Sequence, residues 1–378
     1  MKVLQFVPSL NSFDGGTTTY MQQLAPVMGR MCELHVCALG DTHDYVPLAN
    51  CSVHSIPVSL LHVRQMKREW MALLNVIRPD IVHVNCCWMP QCALVTRWTN
   101  EWRKSLTPHP STINHKPSTI NPHLLLTPHG MLEPWIMARN HWTKKVPAIW
   151  LYQRSAVKSV DMVVATAESE REHLLQLGWN KNIGLVKNGI DVKGIAVKTE
   201  WKEPRRMLFM SRIHPKKGLE MLFEAMTGFQ DLQLDIAGNG EQQYVESLKD
   251  MAGRMNLTER VNFLGAVYDD RKWELIRQAD VVVLPSYSEN YGLIVAEALA
   301  SGTPVMTTTG TPWQPIAENE CGWWVDPSVT AIAGALDRIV KMDAKAMTEY
   351  GNRARMLAEN ECEITDKIEE LYRLYQSV

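Results

Sequence analysis

The chain has 378 residues, 46% of them hydrophobic and 21% charged, with a formal net charge of −2. Those proportions exclude a disordered or collagen-like chain, and the length favours two domains, each able to bury a core without disulfide or metal staples. The longest apolar runs, such as Val281–Leu284, are far shorter than a membrane span needs. The small net charge hides an asymmetry: residues 1–190 carry 18 Lys and Arg against 12 Asp and Glu, whereas residues 191–378 carry 21 against 29. A net of +6 in the first half, which also holds eleven of the twelve histidines, suits a surface that faces something anionic. None of the eight cysteines forms a CxxC pair, and Cys86-Cys87 with nearby Cys92 lack a second pair of zinc ligands. Free thiols in a reducing cytoplasm are the expectation.

In chain order, "MKVLQFVPSL" reads as a first strand, Val3–Val7, rather than a signal peptide, because it has no small-residue cleavage site. Gly15 and Gly16 follow it and precede an amphipathic segment, Thr18–Met28, without the GxGxxG spacing of a dinucleotide fingerprint. Further strands are expected at Leu34–Cys37, Ile81–Asn85, Leu124–Thr127 and Met162–Ala165, with a helical stretch at Leu61–Ile77. Between residues 107 and 130 the chain reads "TPHPSTINHKPSTINPHLLLTPHG", in which both PSTIN and TPH occur twice. The repeated unit has no hydrophobic period, so residues 105–123, including His109, His115 and His123, read as an exposed insertion. His129 stands apart, since it follows an apolar strand and precedes Gly130, where the backbone turns sharply and a ligand can approach.

"VKNGIDVKG" (186–194) carries an Asn-Gly turn signal and divides a first domain, residues 1–187, from a second, residues 195–378, through a linker at 188–194. Strands near Met207–Ser211, Leu232–Ala237, Val261–Leu264, Val281–Leu284 and Val305–Thr307 repeat the alternation. The closing "ITDKIEELYRLYQSV" is amphipathic and helical, suited to its own domain or to crossing back to the first. Strands alternating with helices imply two α/β, doubly wound, Rossmann-like domains in tandem, in which ligands bind beyond the carboxyl ends of the strands.

Four such loops in the second half carry polar chemistry. "PSYSENYGLIVAEALASGTPV" (285–305) runs from a strand into a helix starting near Gly292-Leu293, where free N–H groups suit a diphosphate. Glu289 precedes that helix and Glu297 lies within it. Eight helical residues span about 12 Å, enough for the two carboxylates to grip different parts of one elongated ligand. "LFMSRIHPKKGLE" ends a strand in Arg212 and opens the next helix at Lys217-Gly218, two cations suited to phosphate oxygens. "FLGAV", with Gly265 and Val267, offers backbone groups to a nucleobase, and "MTTTGTPWQPI" follows the next strand. No DxD pair, Walker lysine or HExxH is present.

In combination, Gly15-Gly16, His129-Gly130, Asn188-Gly189-Ile190-Asp191, Arg212 with Lys217-Gly218, and E-x7-E as Glu289 and Glu297 resemble the retaining family 4 glycosyltransferases. "TPHGMLEPW" is similar to the bacterial members that build capsule, exopolysaccharide or lipopolysaccharide. The resemblance implies the GT-B fold, two Rossmann-like domains facing across a cleft, and a nucleoside-diphosphate sugar as donor, a UDP-sugar ahead of GDP-mannose, with no metal. It implies Arg212, Lys217 and the Gly292-Leu293 backbone at the diphosphate, and Glu297 at the ribose. Glu289 and His129 fall to the donor sugar, and Gly15-Gly16 to the diphosphate or acceptor.

The expected acceptor is a glycan or a polyprenyl-diphosphate-linked one, held by the first domain, with no nucleic acid involved. Mixed basic and aromatic stretches at 64–70, 98–104 and 140–145 suit an anionic membrane surface and a cytoplasmic, peripheral location. The competing readings are a GT-B nucleotide-sugar epimerase or hydrolase, which releases free sugar, and a non-catalytic sugar-nucleotide-binding protein.

Overall fold

Runs such as Ile81–Asn85 and Val281–Leu284 are buried along their whole length, the pattern of parallel strands covered by helices on both faces. The computed structural model describes residues 1–11, 16–106, 121–138, 141–201, 205–267 and 269–378, which form two units. The first comprises Met1–Asn188 together with Ile364–Val378, and the second Gly189–Glu363.

Unit 1 is built on the strands β1 (Lys2–Val7), β2 (Glu33–Leu39), β3 (Ser52–Ile56), β4 (Ile81–Asn85), β5 (His123–Thr127), β6 (Met162–Ala165) and β7 (Ile183–Leu185). They lie in the order β3-β2-β1-β4-β5-β6-β7, and every pairing is parallel. Helices Gly16–Met31, Val63–Ile77, Pro90–Leu106 and Glu168–Leu177 make crossovers. The last helix, Ile364–Ser377, buries Ile364, Ile368, Leu371 and Tyr375, one apolar stripe at helical spacing, against Val3, Val7, Met21 and Leu24.

Unit 2 repeats the plan with β8 (Arg205–Met210), β9 (Leu232–Ala237), β10 (Val261–Gly265), β11 (Val281–Leu284), β12 (Val305–Thr308) and β13 (Gly322–Val325), in the order β10-β9-β8-β11-β12-β13. In both sheets the order reverses beside the first strand, between β1 and β4 and between β8 and β11. Such a switch point opens a crevice at the carboxyl ends of the strands, and this is where ligands settle in open α/β sheets.

The structure corrects several expectations. β3, β7 and β13 have no counterpart among the expected strands; all three are edge strands, β3 with polar residues at three of its five positions and β7 only three residues long, whereas β13, "GWWV", is an apolar run. His123 is not part of a loop: it opens β5, with its ring 3.8 Å from Asp161. Residues 105 and 106 end the helix Pro90–Leu106, while 107–120, the bulk of the repeat with His109 and His115, lie outside the described residues. Within the stretch read as a linker, Ile190 and Val192 are buried in unit 2, and the Ile190 N–H donates to the Cys362 carbonyl at 2.8 Å. The tryptophans of 64–70 and 98–104 do not reach a surface. Trp70, Trp98 and Trp102 are core residues, with indole N–H groups of Trp70 and Trp102 donating to Thr99 and Asn75.

Candidate functional site

In unit 2 the loops after β8 and β11 are clamped together by backbone contacts. The Tyr287 N–H donates to the Lys216 carbonyl at 2.9 Å, and Gly218 lies so close to Pro285 that a Cβ would collide with its carbonyl. Gly218 has φ +69°, a left-handed conformation that glycine adopts without steric cost. The short 3-10 turn Pro215–Lys217 thereby aims Lys217 at the β11 loop, where its ammonium lies 2.5 Å from Glu289 Oε1. Ser286 Oγ donates to the same oxygen at 2.8 Å, and the Glu289 N–H donates to the Gly310 carbonyl at 2.7 Å. Neither charge is well solvated, with side-chain exposures of 14% for Lys217 and 12% for Glu289, so each depends on the other.

Gly292, at φ +78°, caps the helix Leu293–Ala300, whose first N–H groups have no partner within the helix. Only residues from 293 onward are helical. Glu289 and Glu297 are therefore not eight residues apart along one helix, and the 12 Å helical spacing expected for them does not apply. Glu297 is buried one turn into the helix and pairs with Lys272 at 2.5 Å. Arg212 is exposed two residues beyond β8. Gly265 ends β10 at φ +71°, with open space where a side chain would be, and Val267 packs half-buried on the unit 2 core.

In unit 1, β5 ends in a turn with two successive left-handed residues, His129 (φ +51°) and Gly130 (φ +76°). For histidine that conformation costs about 1 kcal/mol. Contacts around the turn offset it: the Gly130 N–H donates to Glu170 Oε1 at 2.6 Å, and the His129 ring meets Tyr20 edge-on at 5.1 Å. Glu170 Oε2 also accepts from the Thr166 N–H and hydroxyl. Burial pushes the Glu170 carboxyl up, against the pull of these donors. His129 Nε2 lies 3.1 Å from Asn85 Oδ1, and burial lowers the His129 pKa to about 4. Behind it, Asn85 Nδ2 reaches Gln5 Oε1 at 2.8 Å and Gln5 Nε2 reaches the Tyr375 hydroxyl at 2.8 Å. His83 closes the row between Tyr375 (2.5 Å) and Thr127 (2.7 Å), its pKa lowered to about 3 by burial and then by the His129 charge.

Of the residues singled out from sequence, the fold joins Lys217 to Glu289 and sets Gly292 and Leu293 at the following helix start. Gly16 opens the first helix of unit 1, and Gly15 lies outside the described residues. Sequence reasoning missed Ser286, Lys272, Asn85 and Glu170. Ser286 sits three residues before Glu289 within the motif already singled out, so it was the one within reach.

The description "Glycosyltransferase Family 4" matches residues 14–193 and "Glycosyl transferases group 1" matches residues 193–356. An uncharacterised glycosyltransferase of Methanocaldococcus jannaschii is 31% identical over 176 residues, 42% of this chain and 45% of that protein. The aligned region thus spans less than half the length of that relative. Among solved structures, sucrose-phosphate synthase from Thermosynechococcus elongatus superposes with a TM-score of 0.78 at 19% identity, covering 100% of this chain and 98% of that one. Anabaena HepE in complex with UDP-glucose gives 0.75 at 17% identity, covering 100% of both chains. Two parallel sheets of the same strand order, matched in tandem from residue 14 to residue 356, place the chain in the family 4 glycosyltransferases of GT-B fold.

Proposed function

We propose that the chain is a retaining glycosyltransferase that moves a hexosyl group from a nucleoside-diphosphate sugar to a glycan or polyprenyl-diphosphate-linked acceptor in bacterial surface-polysaccharide synthesis. The observation that carries this reading is the Lys217–Glu289 pair at 2.5 Å, in loops that follow β8 and β11 and precede the helix Leu293–Ala300. The ammonium has three donors, so with one on Glu289 two remain for phosphate oxygens. Arg212 adds a planar fork for the same diphosphate. As the glycosidic C–O bond breaks, negative charge collects on the leaving phosphate, and two cations with a helix start stabilise it without a divalent metal. Glu289 accepts from a hydroxyl of the donor sugar, and Glu297, held by Lys272, from the ribose. Gly265 and Val267 border the base, and Gly16 the diphosphate or acceptor. His129 contacts a substrate hydroxyl. The leaving phosphate takes the acceptor proton on the same face, so no protein nucleophile is required.

A UDP-sugar is the first choice of donor, ahead of GDP-mannose, and a structural neighbour in complex with UDP-glucose supports that order. The reading includes a cytoplasmic location with peripheral contact to an anionic membrane. Among the described residues no helix is long and apolar enough to cross a membrane. Leu61, Trp150 and Leu151 are 92%, 78% and 79% exposed, close in sequence to Arg64, Lys67, Lys145 and Arg154, a composition that suits a bilayer surface.

Incubation with UDP- and GDP-sugars and a lipid-linked diphosphate acceptor tests the whole. Expected are a product that keeps the donor's anomeric configuration, rates unaffected by EDTA, and a loss of about 100-fold in kcat for Glu289→Gln or Lys217→Ala with the fold retained. Free sugar released without acceptor supports the hydrolase or epimerase instead, and donor binding without turnover supports a binding protein. Failure to sediment with anionic vesicles at low salt removes the membrane from the reading.

A further inference from the structure

The row of polar side chains behind His129 has a direction, and one residue sets it. Asn85 Nδ2 lies 2.8 Å from Gln5 Oε1 and also 3.4 Å from both the Phe6 and His83 carbonyls. Turning the amide over would put its oxygen against the Phe6 and His83 carbonyls, which cannot turn, so the nitrogen faces inward and Oδ1 faces His129. An amide oxygen only accepts; His129 Nε2 must therefore carry the proton. The same logic runs the other way along the row. Gln5 gives Oε1 to Asn85, so its Nε2 donates to the Tyr375 oxygen, and the tyrosine hydroxyl is left to donate to His83 Nδ1. His83 Nε2 then carries a proton and donates to Thr127 Oγ1. Five hydrogen bonds thus point the same way, each heteroatom in the role its neighbour requires; Gln5, His83, Asn85, Thr127 and Tyr375 are buried and His129 half-buried, surroundings in which a mismatched pair would be expensive.

We propose that Asn85 is a positioning residue that holds His129 as the Nε2–H tautomer, and that Tyr375, carried by the last helix of the chain, locks Asn85 through Gln5. The consequence for chemistry is specific. His129 presents its Nδ1 lone pair to the ligand, so it accepts a hydrogen bond from a substrate hydroxyl and does not donate one to a phosphate or carbonyl oxygen. Gly130, pinned by Glu170, and the Tyr20 ring fix the plane of the imidazole, while Asn85 fixes which nitrogen is bare. The helix Ile364–Ser377 thereby does more than cover an apolar face of unit 1: its Tyr375 hydroxyl satisfies Gln5 Nε2 and His83 Nδ1 at once and so holds together a row that ends at His129. This inference rests on the transferase reading for the identity of the hydroxyl-bearing ligand, but not for the tautomer itself.

Long-range ¹H–¹⁵N correlation spectra of protein labelled with ¹⁵N-histidine report which ring nitrogen is protonated and need no substrate. At neutral pH the wild type is expected to show His129 and His83 each protonated at Nε2 only, with His129 assigned through a His129→Gln sample. Asn85→Ala is expected to give a mixture of His129 tautomers and to lower kcat about tenfold with the KM for nucleotide sugar unchanged. Tyr375→Phe keeps the ring and removes the hydroxyl; it is expected to broaden or shift both histidines and to lower kcat about three- to fivefold. A wild-type His129 protonated at Nδ1 overturns the proposal, whether or not either variant folds. So does a Tyr375→Phe protein whose histidine spectrum and kcat match the wild type. The expected tautomers in a protein without transfer activity sustain the positioning row and overturn the transferase reading alone.

Discussion

Two imidazoles in unit 1 are held neutral by their surroundings: burial lowers the pKa of His83 to about 3 and that of the half-buried His129 to about 4. In an unfolded chain both would titrate near 6.5. Between those values the unfolded chain binds more protons than the folded one, so the stability these residues contribute is present above about pH 6.5 and is lost as pH falls through the folded pKa values, at up to about 1.4 kcal/mol per pH unit for each. Urea unfolding midpoints are accordingly expected to fall steadily between about pH 6.5 and pH 4.5, and His83→Gln to flatten part of that slope. A pH-independent midpoint over this range would contradict the lowered pKa of both rings. His129 was legible in the sequence because a strand end followed by glycine is a local signal. Asn85 was not, since nothing in "IVHVN" distinguishes a hydrogen-bonding partner from any other strand end. Lys272, 25 residues from the Glu297 it neutralises, had no local signal either.

At the scale of elements, the loops after β8 and β11 function as one piece because Gly218 lets them touch. In Gly218→Ala a Cβ would meet the Pro285 carbonyl and the Met221 side chain at a residue with φ +69°. The expected cost is about 2 kcal/mol or more, of which the left-handed backbone accounts for roughly half. The loop is expected to lift, moving Lys217 off Glu289, so kcat/KM should drop by at least an order of magnitude, about 1.4 kcal/mol in the barrier. Thermal unfolding together with donor kinetics checks this, and a variant of full activity would show that the ion pair does not need the clamp. Elements with unbroken apolar runs, β6 and β11 among them, were readable because burial on both faces leaves a continuous hydrophobic signature. Of the edge strands that were not, β3 mixes polar and apolar residues and β7 spans three residues, so neither leaves such a signature, whereas β13, "GWWV", does.

At the scale of the whole molecule, the chain returns to its first unit for its last fifteen residues. Ending the chain at Glu363 would uncover Val3, Val7, Met21 and Leu24 and leave the Gln5 and His83 polar atoms without Tyr375. Four buried side chains at about 1.5–3 kcal/mol each are comparable with the whole stability of a domain, so the truncated protein is expected to lose cooperative unfolding of unit 1, read by calorimetry, whereas Tyr375→Phe keeps it. The alternation of apolar runs with amphipathic segments was enough to establish two parallel sheets and to direct attention to the loops after their strands, because periodicity is a property of neighbouring residues. Which side chains meet in those loops was not available from any such pattern. Lys217 finds Glu289 across 72 residues and Gln5 finds Tyr375 across 370. Strand order brings the first pair together and the packing of a returning helix the second, and both arise only when the sheets assemble.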